Sequence, residues 1–264
     1  MYSYQHRYHA GNFADIHKHL TLLAIMHYLH KKETGFCVID AFAGEGIYDL
    51  KCNESSLNKE YETGYSFLRK LQDRSYLFNE LLNKTPENTY PGSPFVIQSE
   101  LRTQDRAVFI ENHKKSYEIL SENFKEISKK KNVKILKKDA YEAVNAIVPY
   151  KEKRGIVFFD PSYEVKSEYQ NLGSFICKNF KKNSTGIYVI WYPIIFKKNY
   201  HNILINIIKE LSIPNDKIWQ NEIYYKKNQI EGMHGSGMIV INMPWTVDKE
   251  LEKLFLILED MINH

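Results

Sequence analysis

Four short, largely apolar segments of this chain are each followed, within three residues, by an acidic side chain. The segments are residues 36–39, 107–110, 133–136 and 156–159, and the acids are Asp40, Glu111, Asp139 and Asp160. Segments this short indicate strands, and the helical patterns between them indicate parallel strands joined by helical crossovers. Because ligands bind beyond the carboxyl ends of parallel strands, we expect the four acids to surround one site.

The same alternation continues to the end of the chain. Three more strands are predicted at residues 186–191, 217–225 and 236–242, which completes a Rossmann-like, mostly parallel seven-stranded sheet with helices on both faces. The predicted helices are residues 14–32, 94–104, 114–130, 139–148, 167–182, 200–211 and 247–262. Ser93 suits the N-cap of the second helix and Pro94 its first position.

Residues 51–92 interrupt this alternation. They begin with a loop-like stretch, and residues 60–72 and 75–84 are predicted as short helices. A chain of 264 residues is long enough for one large α/β domain with a small insertion. We therefore predict a main domain of residues 1–50 and 93–264, with residues 51–92 as an inserted helical subdomain.

The composition is that of an ordinary globular protein, with 43% hydrophobic and 26% charged residues. No apolar run approaches the roughly 18 residues of a membrane helix, and the first residues lack the apolar core of a signal peptide. Three cysteines without C-x-x-C spacing indicate a reducing, cytoplasmic location and no zinc or disulfide framework. The pair His6 and His9 has no third ligand nearby, so no metal is predicted. The net charge of +4 is compatible with nucleic-acid binding.

A glycine turn follows the first strand and its acid. Gly44 and Gly46 form a G-x-G turn after Asp40, but the third glycine of a dinucleotide-binding turn is replaced by Asp49. Glycines let the backbone approach a nucleotide closely, whereas a pyrophosphate also needs the N–H groups of a helix start. S-adenosylmethionine carries no phosphate, so the shorter turn suits it better than a dinucleotide.

Each strand-end acid has a role in this interpretation. Glu111 is placed to bind ribose hydroxyls, Asp139 to accept from the adenine amine of the cofactor, and Asp40 to orient the glycine turn and the methionine amine. Negative charge also favours a sulfonium cation. Any one of these acids alone is explained by a helix N-terminus, but the set favours a cofactor site.

The fourth acid begins a distinct motif, Asp160-Pro161-Ser162-Tyr163. The amine of a nucleobase is a poor nucleophile, and two acceptors on its N–H groups hold it in line with an electrophile. The Asp160 carboxylate and the carbonyl of Asp160 or Pro161 can supply those acceptors, and Tyr163 can stack on the base. This resembles the D-P-P-Y motif of amino-methyltransferases, with serine at the third position. From these four residues alone, a carboxylate that accepts from turn amides explains Asp160 equally well.

Over nearly its whole length the chain resembles the bacterial 23S ribosomal RNA adenine-N6 methyltransferases of the RlmJ type. The motifs that carry the resemblance are SYQHRYHAGNFADIHKH, DAFAGEGIY, YPGSP, FIENH, FFDPSYE, WYPI and GSGMIVINMPW, in that order. The N-terminal block, YPGSP and GSGMIVIN are the specific pieces, because general methyltransferase motifs are common.

The resemblance implies a monomeric enzyme that uses S-adenosylmethionine and acts on 23S rRNA, either protein-free or in an early assembly intermediate. The family positions imply cofactor contacts at His19, Ser93, Glu111, Asp139 and Asp160, with Asp160 as the catalytic acceptor and Tyr4 and Lys18 near the substrate. Asp40 and Gly44 of the glycine turn, with Phe42 and Ala140 at the positions where the chain departs from the family, complete the predicted cofactor site. Pro161 and Tyr163 of the motif complete the predicted catalytic set, and Tyr163 is also a predicted substrate contact. The chain departs from the family pattern at Phe42, where members can have histidine, at Ala140, where they can have glycine, and at Ser162.

Two other functions remain open from sequence. A DNA adenine-N6 methyltransferase would share the same catalytic motif. An RNA-binding assembly factor that keeps the cofactor pocket without catalysis is favoured by Ser162 alone. A dehydrogenase is the least consistent with the chain, because the third glycine is missing.

Overall fold

The computed structural model describes residues 6–51, 61, 64–70, 75–130, 132–211, 213–224 and 232–263. Its strands are β1 Cys37–Asp40, β2 Ile47–Asp49, β3 Thr89–Pro91, β4 Arg106–Ile110, β5 Asn132–Leu136, β6 Gly155–Phe159, β7 Ile187–Ile195, β8 Ile218–Tyr224 and β9 Met233–Ile241. Its helices are α1 Phe13–His30, α2 Tyr65–Lys70, α3 Tyr76–Asn83, α4 Ser93–Glu100, α5 Lys114–Asn123, α6 Lys125–Lys130, α7 Ala140–Ile147, α8 Ser167–Phe180, α9 His201–Lys209 and α10 Val247–Asn263.

Seven strands form one sheet in the order β5-β4-β1-β6-β7-β9-β8. The first five are parallel, and β9 runs antiparallel between β7 and β8. At its centre, Val38 pairs with Ala107 on one side and with Ile156 on the other. These residues are fully buried or nearly so, since helices cover both faces of the sheet. The predicted Rossmann-like, mostly parallel sheet is confirmed.

Helix α1 is buried around almost its whole circumference, whereas the sequence predicted a single apolar stripe. It packs against α3, α4, α10 and β9. Because these neighbours enclose it, the burial includes the charged side chains of Asp15 and Lys18 in its first turns. Amphipathic patterning therefore does not describe this helix, and its buried charges need partners.

The region predicted as a helical insertion contains a small sheet as well. Helices α2 and α3 lie within the two predicted helices, although residues 52–60 and 71–74 are outside the described part of the chain. Strand β3 pairs antiparallel with β2, so that Tyr48 lies opposite Tyr90. This two-stranded sheet joins the segment's end to the glycine turn. Three-residue strands are too short to show a period in sequence, so the pattern missed them.

Two helix predictions need correction. Gly92, not Ser93, is the N-cap of α4, and no side chain caps that helix, so the cap does not explain Ser93. The predicted helix 114–130 is broken at Phe124, whose backbone leaves the helical region. Phe124 is fully buried, with its ring edge-on to Phe109 at 5.6 Å. The burial of this ring in the core offsets the lost helical continuity.

None of the helices in the described ranges combines the length and apolar character required to cross a bilayer. The described cysteines, Cys37 and Cys177, are both free thiols.

Candidate active site

A cavity of about 430 Å³ lies at the carboxyl ends of β1, β4 and β6. It brings together nine of the residues predicted from sequence: His19, Phe42, Gly44, Ser93, Glu111, Asp139, Ala140, Asp160 and Pro161. The predicted Asp40, Lys18 and Tyr163 lie behind its wall, and Tyr4 is outside the described residues. The strand ends therefore converge on one site, as the alternation of strands and acids predicted.

The glycine turn is bound to the acid of the next strand. Glu111 accepts a hydrogen bond from the Gly44 amide at 2.9 Å and one from the His113 amide at 2.7 Å. Gly44 has φ +62°, and a Cβ at this position would lie 2.4 Å from the Tyr48 hydroxyl oxygen. Glycine is required there by both the backbone and the close contact. Burial raises the pKa of Glu111, and the two amides oppose that rise.

Asp40 is fully buried at the end of β1. One of its carboxylate oxygens accepts from the Phe42 amide at 3.3 Å, and the other has no hydrogen-bond partner among the described residues. Burial raises the pKa of Asp40 to about 7, although the neighbouring Ser93 side chain opposes the rise. The carboxylates of Asp160 and Glu111 raise it further. With a pKa near neutrality, Asp40 holds a proton readily near neutral pH.

The far wall of the cavity is partly apolar. Phe42 and Ala140 line it, and the Phe42 ring meets Tyr141 edge-on at 6.2 Å. Beside them, Asp139 caps α7 by accepting from the Glu142 amide at 3.0 Å. Asp139 is thus both a helix cap and a cavity residue, and its remaining lone pairs face a pocket with a flat apolar side.

Asp160, just past β6, is held by an ammonium group. Lys18 donates to the Asp160 carboxylate at 2.7 Å, and the same Nζ lies 2.8 Å from the carboxylate of Asp15. Burial alone would lower the pKa of Lys18, but the two carboxylates raise it above its ordinary value. Burial raises the pKa of Asp160, and Lys18 opposes that rise. The lysine is therefore charged, and it orients and helps to ionise Asp160.

The network of ion pairs continues to the N-terminal segment. His6 Nε2 lies 3.0 Å from Asp15, and the Gly11 amide donates to the same carboxylate at 2.8 Å. Burial would raise the pKa of Asp15, but His6 and Lys18 hold it well below its usual range. Arg7 donates twice to Glu45 in the glycine turn, at 2.8 and 2.9 Å. The N-terminal block thus connects to both the glycine turn and the Asp160 loop.

Tyr163 is not where its predicted stacking role requires. Its ring is buried and contacts Tyr169 at 4.4 Å between centroids. Its hydroxyl donates to the Trp191 carbonyl at 2.6 Å, and the residue does not line the cavity. In this arrangement Tyr163 fixes the Asp160 loop, with φ +52° at its own backbone. Sequence places the ring near Asp160, but only tertiary packing decides which way it faces.

The aromatic ring that does line the cavity beside Asp160 is Trp191 on β7. The Lys18 ammonium lies 4.6 Å from its ring centroid. Its indole N–H donates to Ser236 on β9 at 2.9 Å, and Ser236 is also 2.9 Å from His17 Nδ1 on α1. Burial lowers the pKa of His17 to about 3, so that this ring is neutral. A hydrogen-bonded set of buried residues therefore supports the tryptophan from behind.

His19 also lines the cavity as a neutral ring. Its Nδ1 lies 2.7 Å from the Tyr90 hydroxyl on β3, and the two rings are stacked at 5.5 Å. Burial lowers the pKa of His19 to about 3. The short β2–β3 sheet thus has a function in the site, because it positions the partner of His19.

Sequence reasoning missed three contributors to this site. Asp15 was visible only as an acid near a helix start, Trp191 only within the WYPI motif, and Tyr48 only as the last residue of the DAFAGEGIY motif. An unusually buried lysine cannot be recognised from periodicity, so its acidic partner could not be assigned either.

Comparisons with known proteins agree with this geometry. The family model described as "RsmJ: Ribosomal RNA large subunit methyltransferase D, RlmJ" matches residues 33–264. Two proteins named Ribosomal RNA large subunit methyltransferase J are similar to this chain, and each match covers 96% of this chain. That of Haemophilus influenzae is 36% identical, with 92% of that protein covered, and that of Escherichia coli K12 is 31% identical, with 91% covered. A crystal structure of a Legionella pneumophila protein superposes with a TM-score of 0.87 at 33% identity, covering 97% of this chain and 94% of that one.

Proposed function

The chain belongs to the RlmJ family of large-subunit ribosomal RNA methyltransferases, and from this premise we propose that it methylates the N6 amine of one adenine in 23S rRNA with S-adenosylmethionine as donor. The family supports methyl transfer to large-subunit rRNA. The choice of an adenine amine is supported by the site, because Asp160 and Pro161 line the cavity and can offer a carboxylate and a backbone carbonyl to the N–H groups of the amine.

The residues present fit the donor. S-adenosylmethionine is a nucleoside with a sulfonium and an ammonium group, and it supplies an electrophilic methyl group when bound. The cavity has the size of a small-molecule site and joins apolar walls at Phe42 and Ala140 to the carboxylates of Glu111 and Asp139. Behind it, one oxygen of Asp40 has no described hydrogen-bond partner. A cationic nucleoside suits this combination better than an anionic one.

Within the proposal, Glu111 binds the ribose hydroxyls, Asp139 the adenine amine of the donor, and Asp40 stiffens the glycine turn from behind. Phe42, Gly44, Ser93, Ala140 and His19 complete the cofactor wall. These assignments are supported by position alone: each residue either lines the cavity or hydrogen-bonds to one that does.

The observation that carries the proposal is the ion pair between buried Lys18 and half-buried Asp160 at the cavity wall. The target adenine leaves its stack and enters beside Asp160, at a cost of a few kcal/mol. The Asp160 carboxylate and the carbonyl of Asp160 or Pro161 accept from its N–H groups and aim the nitrogen lone pair at the methyl carbon. Alignment supplies much of the rate gain. S-adenosylmethionine, when bound, would supply the methyl group and leave as its demethylated thioether, and Asp160 or water would take the proton of the amine.

The base needs an aromatic partner in this pocket. Trp191 lines the cavity next to Asp160, while the Tyr163 ring is engaged with Tyr169. We therefore assign base stacking to Trp191, with Tyr4 as a further substrate contact that lies outside the described residues. Tyr163 acts in catalysis by fixing the loop, through its hydrogen bond to the Trp191 carbonyl.

The test is transfer of a tritiated methyl group to protein-free 23S rRNA from a strain that lacks this gene, followed by mass identification of the modified base. N6-methyladenine in rRNA is the expected product. Duplex DNA and assembled large subunits serve as parallel substrates. Transfer to DNA alone would overturn the proposal in favour of a DNA methyltransferase, and donor binding without transfer to any of the three would indicate an assembly factor. A monomeric, cytoplasmic enzyme acting before assembly is part of the same proposal.

A further inference from the structure

Strand β7 extends beyond the cavity edge of the sheet. Its pairing with β6 ends at Ile190, while residues 191–195 continue in partnership with β9. The sequence predicted the strand to end at Trp191, before Pro193. The two long antiparallel strands thus form a projection directly beside the Trp191 wall of the cavity.

The tip of this projection is a tight turn with an aromatic pair. The Lys198 amide donates to the Ile195 carbonyl at 3.1 Å. The rings of Phe196 and His234 stack at 4.5 Å with an interplanar angle of 17°. The Lys197 ammonium lies 5.0 Å from the Phe196 ring, and Lys197 and Lys198 are both exposed. The turn therefore presents two positive charges on a rigid apolar base.

A third lysine lies on the neighbouring element at the same edge. Helices α8 and α9 both begin at the cavity edge, because each follows the carboxyl end of a parallel strand. The exposed Lys166, just before α8, places its ammonium 5.0 Å from the ring of Tyr200, just before α9. Tyr200 contacts Tyr169, which packs on Tyr163 of the Asp160 loop. A row of ring contacts therefore leads from Lys166 to Tyr163, which lies in the same loop as Asp160.

These three ammonium groups make no ion pair with any residue in the described ranges. Two acids lie near them in sequence. Glu164 is exposed, whereas Glu168 is half-buried and lines the cavity, and burial raises its pKa. Among these described residues, exposed lysines therefore outnumber exposed acids three to one, and the lysines keep their charge available for a polyanion.

We propose that Lys166, Lys197 and Lys198, named here the lysine rim, bind phosphates of the RNA strand that flank the extruded adenine. This inference rests on the proposed function, since it assumes an RNA substrate. A flipped base reaches its pocket only if the backbone on either side is held at the pocket mouth. The lysine rim lies on the Trp191 side of the cavity, because β7 carries Trp191 at the cavity and continues to the turn with Lys197 and Lys198.

The test is the triple variant Lys166→Gln, Lys197→Gln, Lys198→Gln. All three residues are exposed, so folding should be preserved. We expect KM for protein-free 23S rRNA to rise about tenfold, with kcat changed less than twofold. For single-stranded contacts the slope of log(kcat/KM) against log salt falls by about 0.7 per lost phosphate, so its magnitude should drop by about 2.

The matched control is the triple variant Lys151→Gln, Lys217→Gln, Lys249→Gln. It removes the same charge from exposed positions at the end of the sheet opposite the cavity. Its salt slope should equal that of the unchanged protein. Affinity for S-adenosylmethionine, measured by calorimetry, should be the same in all three proteins.

An unchanged salt slope in the lysine-rim variant, or an equal loss in the control, would overturn this inference while leaving the enzyme's activity established. Absence of any methyl transfer by the unchanged protein would instead defeat the proposed function. In that case filter binding of 23S rRNA to the same three proteins still tests the lysine rim, with a selective tenfold loss expected in its variant.

Discussion

The ends of β1 and β6 lie side by side, and each carries an aspartate, fully buried Asp40 and half-buried Asp160, in a different electrostatic setting. Asp160 accepts from Lys18, which is itself anchored by Asp15. Asp40 has only neutral donors and two further acids nearby, and its pKa rises to about 7. The same strand-end position therefore yields an oriented carboxylate in one case and an easily protonated group in the other.

The difference shows that the position of an acid at a strand end does not by itself determine whether that acid is charged. A buried carboxylate loses its hydration, and only a close cation or a set of donors restores the charged form. At β6 that cation comes from α1, which is remote in sequence. At β1 no described residue forms an ion pair with Asp40, so Asp40 suits a structural role behind the glycine turn better than a direct role in methyl transfer.

The largest effect is expected from Asp160→Ala. We expect methyl transfer to fall at least about 10³-fold, because both the carboxylate that aligns the amine and its geometry are lost. S-adenosylmethionine affinity should change little, since Glu111, Asp139 and the glycine turn remain. Single-turnover transfer and calorimetry measure the two quantities. Near-normal transfer by this variant would show that the two strand ends do not differ in catalytic importance.

Next in size is Lys18→Met, which leaves Asp160 and Asp15 buried without their shared cation. The pKa of Asp160 should rise further, so that the acid limb of the pH–rate profile moves to higher pH and transfer near pH 7 falls about 10²-fold. Raising the pH should recover part of the rate. The free energy of unfolding should also fall by about 3 kcal/mol. Lys115→Met, at an exposed position on α5 that does not line the cavity, is the control. A parallel loss at every pH would contradict the electrostatic role.

Asp40→Asn tests the other strand end through stability. Because the folded pKa of about 7 exceeds the ordinary value near 4, the folded protein retains a proton that the unfolded chain has released. The contribution of Asp40 to stability is therefore complete below about pH 4 and is lost as the pH rises to about 7. As the pH rises from about 4 to about 7, the free energy of unfolding of the variant should therefore increase, relative to that of the unchanged protein, by on the order of a few kcal/mol. Urea unfolding at pH 5 and pH 7.5 measures the change, and a difference that is independent of pH would contradict it.

The smallest effect is expected from Ser162→Pro, which restores the residue of the usual motif. The loop is already held by the Tyr163 hydroxyl on the Trp191 carbonyl, so a fixed φ adds little order. Turnover should change by less than about threefold, and S-adenosylmethionine affinity should be unchanged. Removing that bond with Tyr163→Phe before adding the proline should enlarge the benefit. A large gain from proline alone would mean that the β6 end is looser than its contacts indicate.

Much of the fold could be predicted because its strands alternate with helices and end at acids. The cavity position followed from the same pattern, and nine predicted residues line it. The errors concern features without a local signal. Ser93 resembled a helix cap but is the first helical residue, and Tyr163 resembled a stacking ring but is packed behind the wall. Whether residues 51–92 form a separate subdomain stays a prediction.

The sequence by itself determined the sheet, the glycine turn and the ring of strand-end acids, because alternating hydrophobicity and turn glycines act over a few neighbouring residues. Only the tertiary structure decided that Lys18 meets Asp160, that Trp191 rather than Tyr163 faces the cavity, and that β7 extends past the pocket to carry the lysine rim. These outcomes depend on contacts between residues far apart in the sequence or on the direction of a side chain, and no local pattern encodes either.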